Sequence, residues 1–521
     1  MKKRNWRLML RRVLNLVFSR IVVTGVLLLL QAFWLFALFY WLADYAKWFG
    51  GVGVAMSVIM CLALIRQDST VPEFKISWLI LFSVMPVQGG ILYLLWGDKR
   101  PALGLRHRLE RAEDAMAPAR KDDPDAAAAL QRQDPRAALT ARYLHDYGPM
   151  PVCGGTAAKY YPDGQSMFAD MLPALQGAQH SIYVESFIIG MGEMWGQIHE
   201  ILRRKAAAGL DVRVIYDDAG CLSLLPHNYA EMMRADGIRA FSFNRCVPML
   251  NLVMNNRDHR KIMVIDGQIA FTGGVNLADE YINKIVRFGY WKDTGVRIEG
   301  EAVWSLTSMF LSMWNYIVHS TEDYSRFMPA QHQKAPFEND GFVQPYGDSP
   351  LDHENVGENI YLNIINRAKN YVYIFTPYLI IDHEMLTALC NAAKDGVDVR
   401  IVTPGIPDKK MIFLLTQSYY APLIQSGVKI YQYTPGFIHA KCFVCDDEIA
   451  TVGSVNLDFR SLYLHFECGV FFYRSAVVAQ VKEDCLNTFA CSEQMTAEFC
   501  RNRPVPVRLL QSVLRLLAPL L

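Results

Sequence analysis

The chain has 521 residues, enough for about three domains or for two domains and a membrane anchor, which excludes a small disulfide-stapled scaffold. Its 52 basic and 51 acidic side chains leave a formal charge of +1, so no global field draws the molecule to nucleic acid. Hydrophobic residues make up 52% of the chain, slightly above the usual ~45–50%, and the excess lies in the first hundred positions.

Residues 21–43 are uncharged and rich in Leu, Phe and Trp, long enough to cross a hydrocarbon core that needs about 20 residues. A cleaved secretory signal would have a shorter apolar stretch followed by small residues. This run ends in Tyr40, Trp41 and Leu42 and reads as a membrane helix. Uncharged runs at 48–65 and 76–96 follow, so residues 1–97 are expected to form a transmembrane helical region. Lys2, Lys3, Arg4, Arg7, Arg11, Arg12 and Arg20 place the N-terminus in the cytoplasm, and Lys99, Arg100, Arg106, Arg108 and Arg111 argue for the same side after the third run. Two inside ends need an even number of crossings, so either one run is interfacial or re-entrant, or the downstream region is exported against the charge rule. Ten of the 11 cysteines follow this region, irregularly spaced. Several, such as Cys442 and Cys445, sit in apolar strand-like runs and read as reduced core residues, which favours a catalytic region on the cytoplasmic face. On a strand the Cys442-x-x-Cys445 spacing points the two thiols to opposite faces, so no metal or redox role is expected.

Residues 98–148 are charged and Ala-rich, with Pro118, Pro124 and Pro135, and read as a partly helical connector. Beyond it, strand, helix and strand patterns alternate at 181–189, 197–207 and 212–217, which is the signature of an α/β fold. The pattern then repeats. Aligning residues 259–277 with 439–457, an offset of 180, gives ten identities in 19 positions, where residue frequencies alone give about one. A two-fold repeat of this period predicts two similar, pseudo-symmetric α/β domains facing each other, at 149–330 and 331–521.

Each copy carries a His, a Lys two residues later and an Asp five after that: His259, Lys261 and Asp266, then His439, Lys441 and Asp446. On a strand, residues two apart point the same way, so each His and Lys project together while Ile262, Val264, Cys442 and Val444 pack behind. Two such pairs suit a phosphodiester. The lysines hold the non-bridging oxygens, one imidazole attacks phosphorus and the other protonates the leaving oxygen, with no metal or cofactor required. Further along lie Gly273, Gly274 and Asn276, and in the second copy Gly453, Ser454 and Asn456, whose small residues and amides are expected to line a phosphate pocket. Asp266 and Asp446 follow apolar residues at turns and are expected to brace the motif.

The duplicated H-x-K-x4-D motif, with its following Gly-Gly or Gly-Ser and Asn, resembles the phospholipase D superfamily. More narrowly, Asn255-Asn256-Arg257-Asp258 before His259, Glu280-Tyr281, and Arg460-Ser461 resemble bacterial cardiolipin synthases, as does the Trp78, Pro86, Gly89 and Tyr93 pattern at the front. The resemblance covers residues 50–521 and implies two phospholipase D-like domains. It also implies transfer of a phosphatidyl group from one phosphatidylglycerol to another through a phosphohistidine, giving cardiolipin and glycerol. His259 would be the nucleophile and His439 the acid, with the roles exchangeable by pseudo-symmetry. The resemblance further marks Asp293 and Glu467 as acids that orient the imidazoles, and Glu185 as an acid near the head group or, equally, the partner of a nearby cation. The family usually has Asn where His465 stands, which brings in a third imidazole and bears on alcohol preference. Phospholipase D-type hydrolysis and a phosphatidylserine synthase-like transfer are the alternatives; balanced charge argues against a nuclease. The expected partners are therefore phosphatidylglycerol and membrane lipids. The segments 247–254 and 412–424 are apolar enough to admit acyl chains, or to pack as ordinary helices, and Arg508 onward suits an interfacial helix.

Overall fold

A computed structural model describes residues 50–66, 72–85, 89–90, 92–93, 103–120, 122–246, 256–329, 341–352 and 354–520, with a few helical positions between 26 and 40. The first half carries β1 (Thr156–Tyr161), β2 (Ser181–Ser186), β3 (Asp211–Asp217), β4 (Arg239–Phe243) and β5 (Arg257–Asp258). It continues with β6 (Lys261–Ile265), β7 (Ile269–Gly273), β8 (Tyr290–Lys292) and β9 (Gly295–Gly300). The second half carries β10 (Phe342–Asp348), β11 (Tyr371–Phe375), β12 (Leu379–Ile380), β13 (Asp398–Pro404), β14 (Lys429–Tyr433) and β15 (Gly436–Ile438). After these come β16 (Cys442–Cys445), β17 (Ile449–Gly453), β18 (Leu457–Asp458), β19 (His465–Tyr473) and β20 (Ser492–Gln494).

The first sheet runs β1-β9-β7-β6-β2-β3-β4 and the second β10-β19-β17-β16-β11-β13-β14, with β20 added at the edge. In both, the last three of these seven strands are parallel and the rest antiparallel. Parallel strands need a crossover, and helices such as Glu193–Ala207 between β2 and β3 supply it. The central strands are apolar on both faces because both are covered. On β6, Ile262 and Val264 enter one core with Cys442 and Val444 of β16, while Met263 and Ile265 enter another and Phe443 and Cys445 a third. The shared core lies between the sheets and includes residues of helices Val303–Val318 and Ala476–Ala490. No disulfide forms among the described cysteines, and Cys442 and Cys445 do point to opposite faces.

Residues 103–147 form three packed helices, Leu103–Met116, Pro124–Gln133 and Pro135–Tyr147. Of the three connector prolines, Pro124 and Pro135 stand at helix starts, where a missing N–H costs nothing, each behind an Asp cap: Asp123 accepts from Ala126 N and Asp134 from Arg136 N and Ala137 N. Leu109 and Met116 join the core between the sheets, and Leu130 and Leu144 the far side of the second.

Among the described residues no helix is long and apolar enough to cross a membrane. Helix Gly50–Ile65 has 16 residues and helix Pro72–Val84 has 13, both under the ~20 a span requires. They pack on each other through Met60, Leu64 and Phe82. Most of the 21–43 run, and the whole of 247–254, lie outside the described residues. The 412–424 segment falls on helices Lys410–Ser418 and Tyr420–Gln425, and Arg508 onward on helix Val505–Leu517, where Ser77 Oγ donates to Leu516 O at 3.3 Å.

Candidate active site

His259 and His439 each occupy the step between two short strands, and each step is held by the opposite half. β5 runs parallel to the start of β19, with Arg257 opposite His465 and Asp258 opposite Phe466, and His259 N donates to Phe466 O at 2.9 Å. In the same way β15 runs parallel to β8, with Phe437 opposite Trp291 and Ile438 opposite Lys292, and His439 N donates to Lys292 O at 2.7 Å. The residue after each of those carbonyls is an acid, so the carboxylates cross between the halves. Glu467 lies 2.9 Å from His259 Nδ1 through both oxygens, and Asp293 Oδ2 lies 2.6 Å from His439 Nδ1. Two residues on, Lys261 Nζ donates to the carbonyl of His259 and Lys441 Nζ to that of His439.

All six side chains are buried. Burial pushes His259 down to about 3, the charge of Lys261 adding to the effect against the attraction of Glu467. Burial and then Lys441 push His439 down to about 4. Burial also lowers Lys261 to about 8 and Lys441 to about 7, the latter helped by Lys261. Burial alone would raise Glu467, but the His259 ring outweighs it and holds the carboxyl well below its usual range; Asp293 is lowered against its burial by His439 and then Lys441. Both imidazoles are thus neutral near pH 7. A carboxylate at Nδ1 fixes the proton there and leaves Nε2 with its lone pair exposed to an incoming electrophile.

The remaining sequence-predicted residues are placed differently. Asp266 and Asp446 stand at the far end of their strands, in the left-handed region at φ 54° and 51°. Asp266 accepts from the backbone N–H of Gln179, His180 and Ser181 at 2.7–2.8 Å, and Asp446 from those of Lys369, Asn370 and Tyr371 at 2.6–2.9 Å. They tie the motif strand to the loop entering β2 or β11 and make no hydrogen bond to the motif His or Lys side chains. Gly273, Gly274 and Ser454 touch protein, where the sequence suggested substrate. A Cβ on Gly273, at φ +148°, would meet Gly295 Cα at 2.5 Å, and one on Gly274 would meet Asp293 Oδ1 at 2.0 Å. At the matching position Ser454 Oγ donates to Glu467 Oε2 at 2.5 Å. Asn276 accepts from Ile188 N and donates to Tyr281 OH, whereas Asn456 Oδ1 is buried without a hydrogen-bond partner among the described residues. Glu185 faces a nearby cation rather than a head group: its Oε1 lies 2.6 Å from Arg260 Nη2, off the line of a good hydrogen bond. Burial holds its carboxyl well above the usual range against the pull of Arg260.

Aromatic walls flank both imidazoles, and of their residues the sequence marks only Tyr281, in the Glu280-Tyr281 pair. Phe187 packs edge-on to His259 at 5.0 Å between ring centroids, and Trp291 and Tyr281 each lie 5.5 Å from His439. For Phe187 and Trp291 the sequence signal is a nearby acid, Glu185 and Asp293, since an aromatic in an apolar run looks like core. His465 stands 5.6 Å from His259, ring to ring.

Residues 171–314 and 361–487 match the family described as cardiolipin synthase, PLD-like domain. The chain is 34% identical over 471 residues to a cardiolipin synthase of Alkalihalophilus pseudofirmus, across 89% of this chain and 92% of that one. It is 44% identical over 451 residues to an uncharacterized protein of Streptococcus mutans serotype c, across 86% and 96%. Among solved structures, the phosphatidylserine synthase of Haemophilus influenzae Rd KW20 superposes with a TM-score of 0.55 at 18% identity, over 74% of this chain and 100% of that one, which shows a shared fold. With both matched segments spanning a His-x-Lys strand and a curated relative aligned over nearly its full length, the chain belongs to the phospholipase D-like family of cardiolipin synthases.

Proposed function

We propose that the protein is a cardiolipin synthase that moves a phosphatidyl group from one phosphatidylglycerol to the glycerol hydroxyl of a second. The single observation that carries the mechanism is the crossed pair of buried, neutral imidazoles, each bound at Nδ1 by the other half's carboxylate and each followed by a lysine. His259 Nε2 attacks phosphorus, the bond from phosphorus to glycerol oxygen breaks, and His439 gives that oxygen its proton. A resting pKa of about 4 means that His439 takes up its proton beside the bound anion, whose charge favours the imidazolium. The hydroxyl of the second lipid then passes its proton to His439, bonds to phosphorus and breaks the phosphorus–nitrogen bond, releasing cardiolipin. Lys261 and Lys441 balance the charge on the non-bridging oxygens, and the Asn456 amide offers a further hydrogen bond to the lipid. The apolar runs of residues 1–97 hold the enzyme at the bacterial cell membrane, with the catalytic halves on the cytoplasmic face. Helix Val505–Leu517, which exposes Val505, Leu509 and Val513 beside Arg508, lies on the lipid surface.

The test is incubation of the purified full-length protein, and of His259→Ala beside it, with phosphatidylglycerol alone, followed by mass spectrometry. Cardiolipin with free glycerol is expected from the unsubstituted chain only. Phosphatidic acid in place of cardiolipin would assign a hydrolase, and equal product from His259→Ala would remove His259 from the chemistry.

A further inference from the structure

The two halves differ at one position that matters for metal ions. His465 and Trp291 are equivalent, since each lies opposite the residue two before a motif histidine and two residues before a crossing carboxylate. Trp offers only an N–H; His offers a lone pair. His465 projects on the same side of β19 as Glu467 and is about nine-tenths buried, yet neither ring nitrogen has a hydrogen-bond partner among the described residues. Its Nδ1 lies 3.8 Å from Glu467 Oε1. Burying an imidazole with both nitrogens unpaired is unfavourable, so an occupant that binds one of them gains affinity.

Ligand atoms of His259, His465 and Glu467, one from each, lie within 4.8 Å of one another. Zn²⁺ holds imidazole and carboxylate at about 2.0–2.2 Å, which sets tetrahedral donors about 3.4 Å apart, a modest closure of these three side chains. Two imidazoles and one carboxylate with an open fourth position are a donor set that Zn²⁺ and Co²⁺ accept. We infer that His259, His465 and Glu467 form an inhibitory site for one Zn²⁺-class ion per chain, present in the His259 half and absent from the His439 half. Whichever His259 nitrogen binds, the ion competes with the reaction: at Nε2 it occupies the attacking lone pair, and at Nδ1 it displaces the hydrogen bond to Glu467. The inhibition rests on His259 being the nucleophile proposed above, whereas the binding does not.

The binding is read without turnover. Full-length protein in detergent, stripped with chelator, is titrated with Co²⁺ and followed by visible absorption, then challenged with Zn²⁺. One saturable equivalent with the bands of four-coordinate cobalt, displaced by Zn²⁺, is expected, and at least tenfold weaker binding in His465→Asn and in His465→Gln. Zn²⁺ should also inhibit cardiolipin formation at least tenfold less effectively in either variant, each measured against its own metal-free rate. No saturable equivalent, or unchanged binding in both variants, would overturn the site. Cobalt binding without loss of turnover would overturn capture of the nucleophile. A protein that makes no cardiolipin would count against the proposed function, while the cobalt titration still decides the site.

Discussion

Ser454 and Gly274 occupy matched positions and serve the two crossing carboxylates in opposite ways, one by a hydrogen bond and one by making room. Ser454→Ala is expected to lower kcat by about tenfold with little change in KM, because a charge-assisted bond of about 1.5 kcal/mol to Glu467 is lost. Gly274→Ala drives its Cβ into Asp293 and should cost about 100-fold; steady-state kinetics on phosphatidylglycerol micelles checks both. The lysines set the pH dependence. Each is cationic below its pKa, so kcat/KM should fall as pH rises through about 7 and then 8, where Lys441 and Lys261 lose their charge. Their effect on stability has the opposite sign. Between pH 7 and the unfolded value near 10.5 the unfolded chain holds a proton that folded Lys441 has shed, so stability rises with pH across that window and the cost is largest below it. Calorimetry from pH 6 to 10 should therefore give a rise in Tm that Lys441→Met reduces.

At the scale of elements, the motif strands are anchored at both ends by different means. At the His end the anchor is the other half's strand, and at the Asp end it is a carboxylate gripping three backbone N–H groups. Asp266→Ala is expected to destabilise the fold by about 2 kcal/mol, since these partly exposed N–H groups turn to water, while kcat per folded molecule stays within about twofold. Denaturant unfolding and active-site titration separate the two effects; a large loss of kcat at unchanged stability would return Asp266 to the chemistry. β6 and β16 are readable as strands because a strand covered on both faces is a short, continuous apolar run, and the His-x-Lys spacing before each sets which side chains share a face. For residues 98–148 the sequence predicts only a partly helical connector, because prolines at helix N-termini such as Pro124 and Pro135 look the same in sequence as prolines in a loop.

The whole molecule is needed to build either imidazole site. His259 is bound by an acid 208 residues away and His439 by one 146 away, each in the opposite half of the chain. Glu467→Gln should lower kcat by about 1000-fold or more and abolish labelled phosphohistidine, because the amide no longer favours the Nδ1–H tautomer of His259. Loss of turnover with phosphohistidine intact would instead place Glu467 in the second step.

Sequence alone determined the α/β class, the family and the residue types for phosphodiester chemistry, because periodicity and a motif repeated at matched spacing are local and survive without coordinates. Tertiary structure alone decided which acid meets which imidazole, that Ser454 and Gly274 serve those acids, that Glu185 answers Arg260, and that His465 sits beside His259 with no hydrogen-bond partner among the described residues. Those pairings join residues from different strands and halves, and their partners are chosen by the packing of two sheets on a common core.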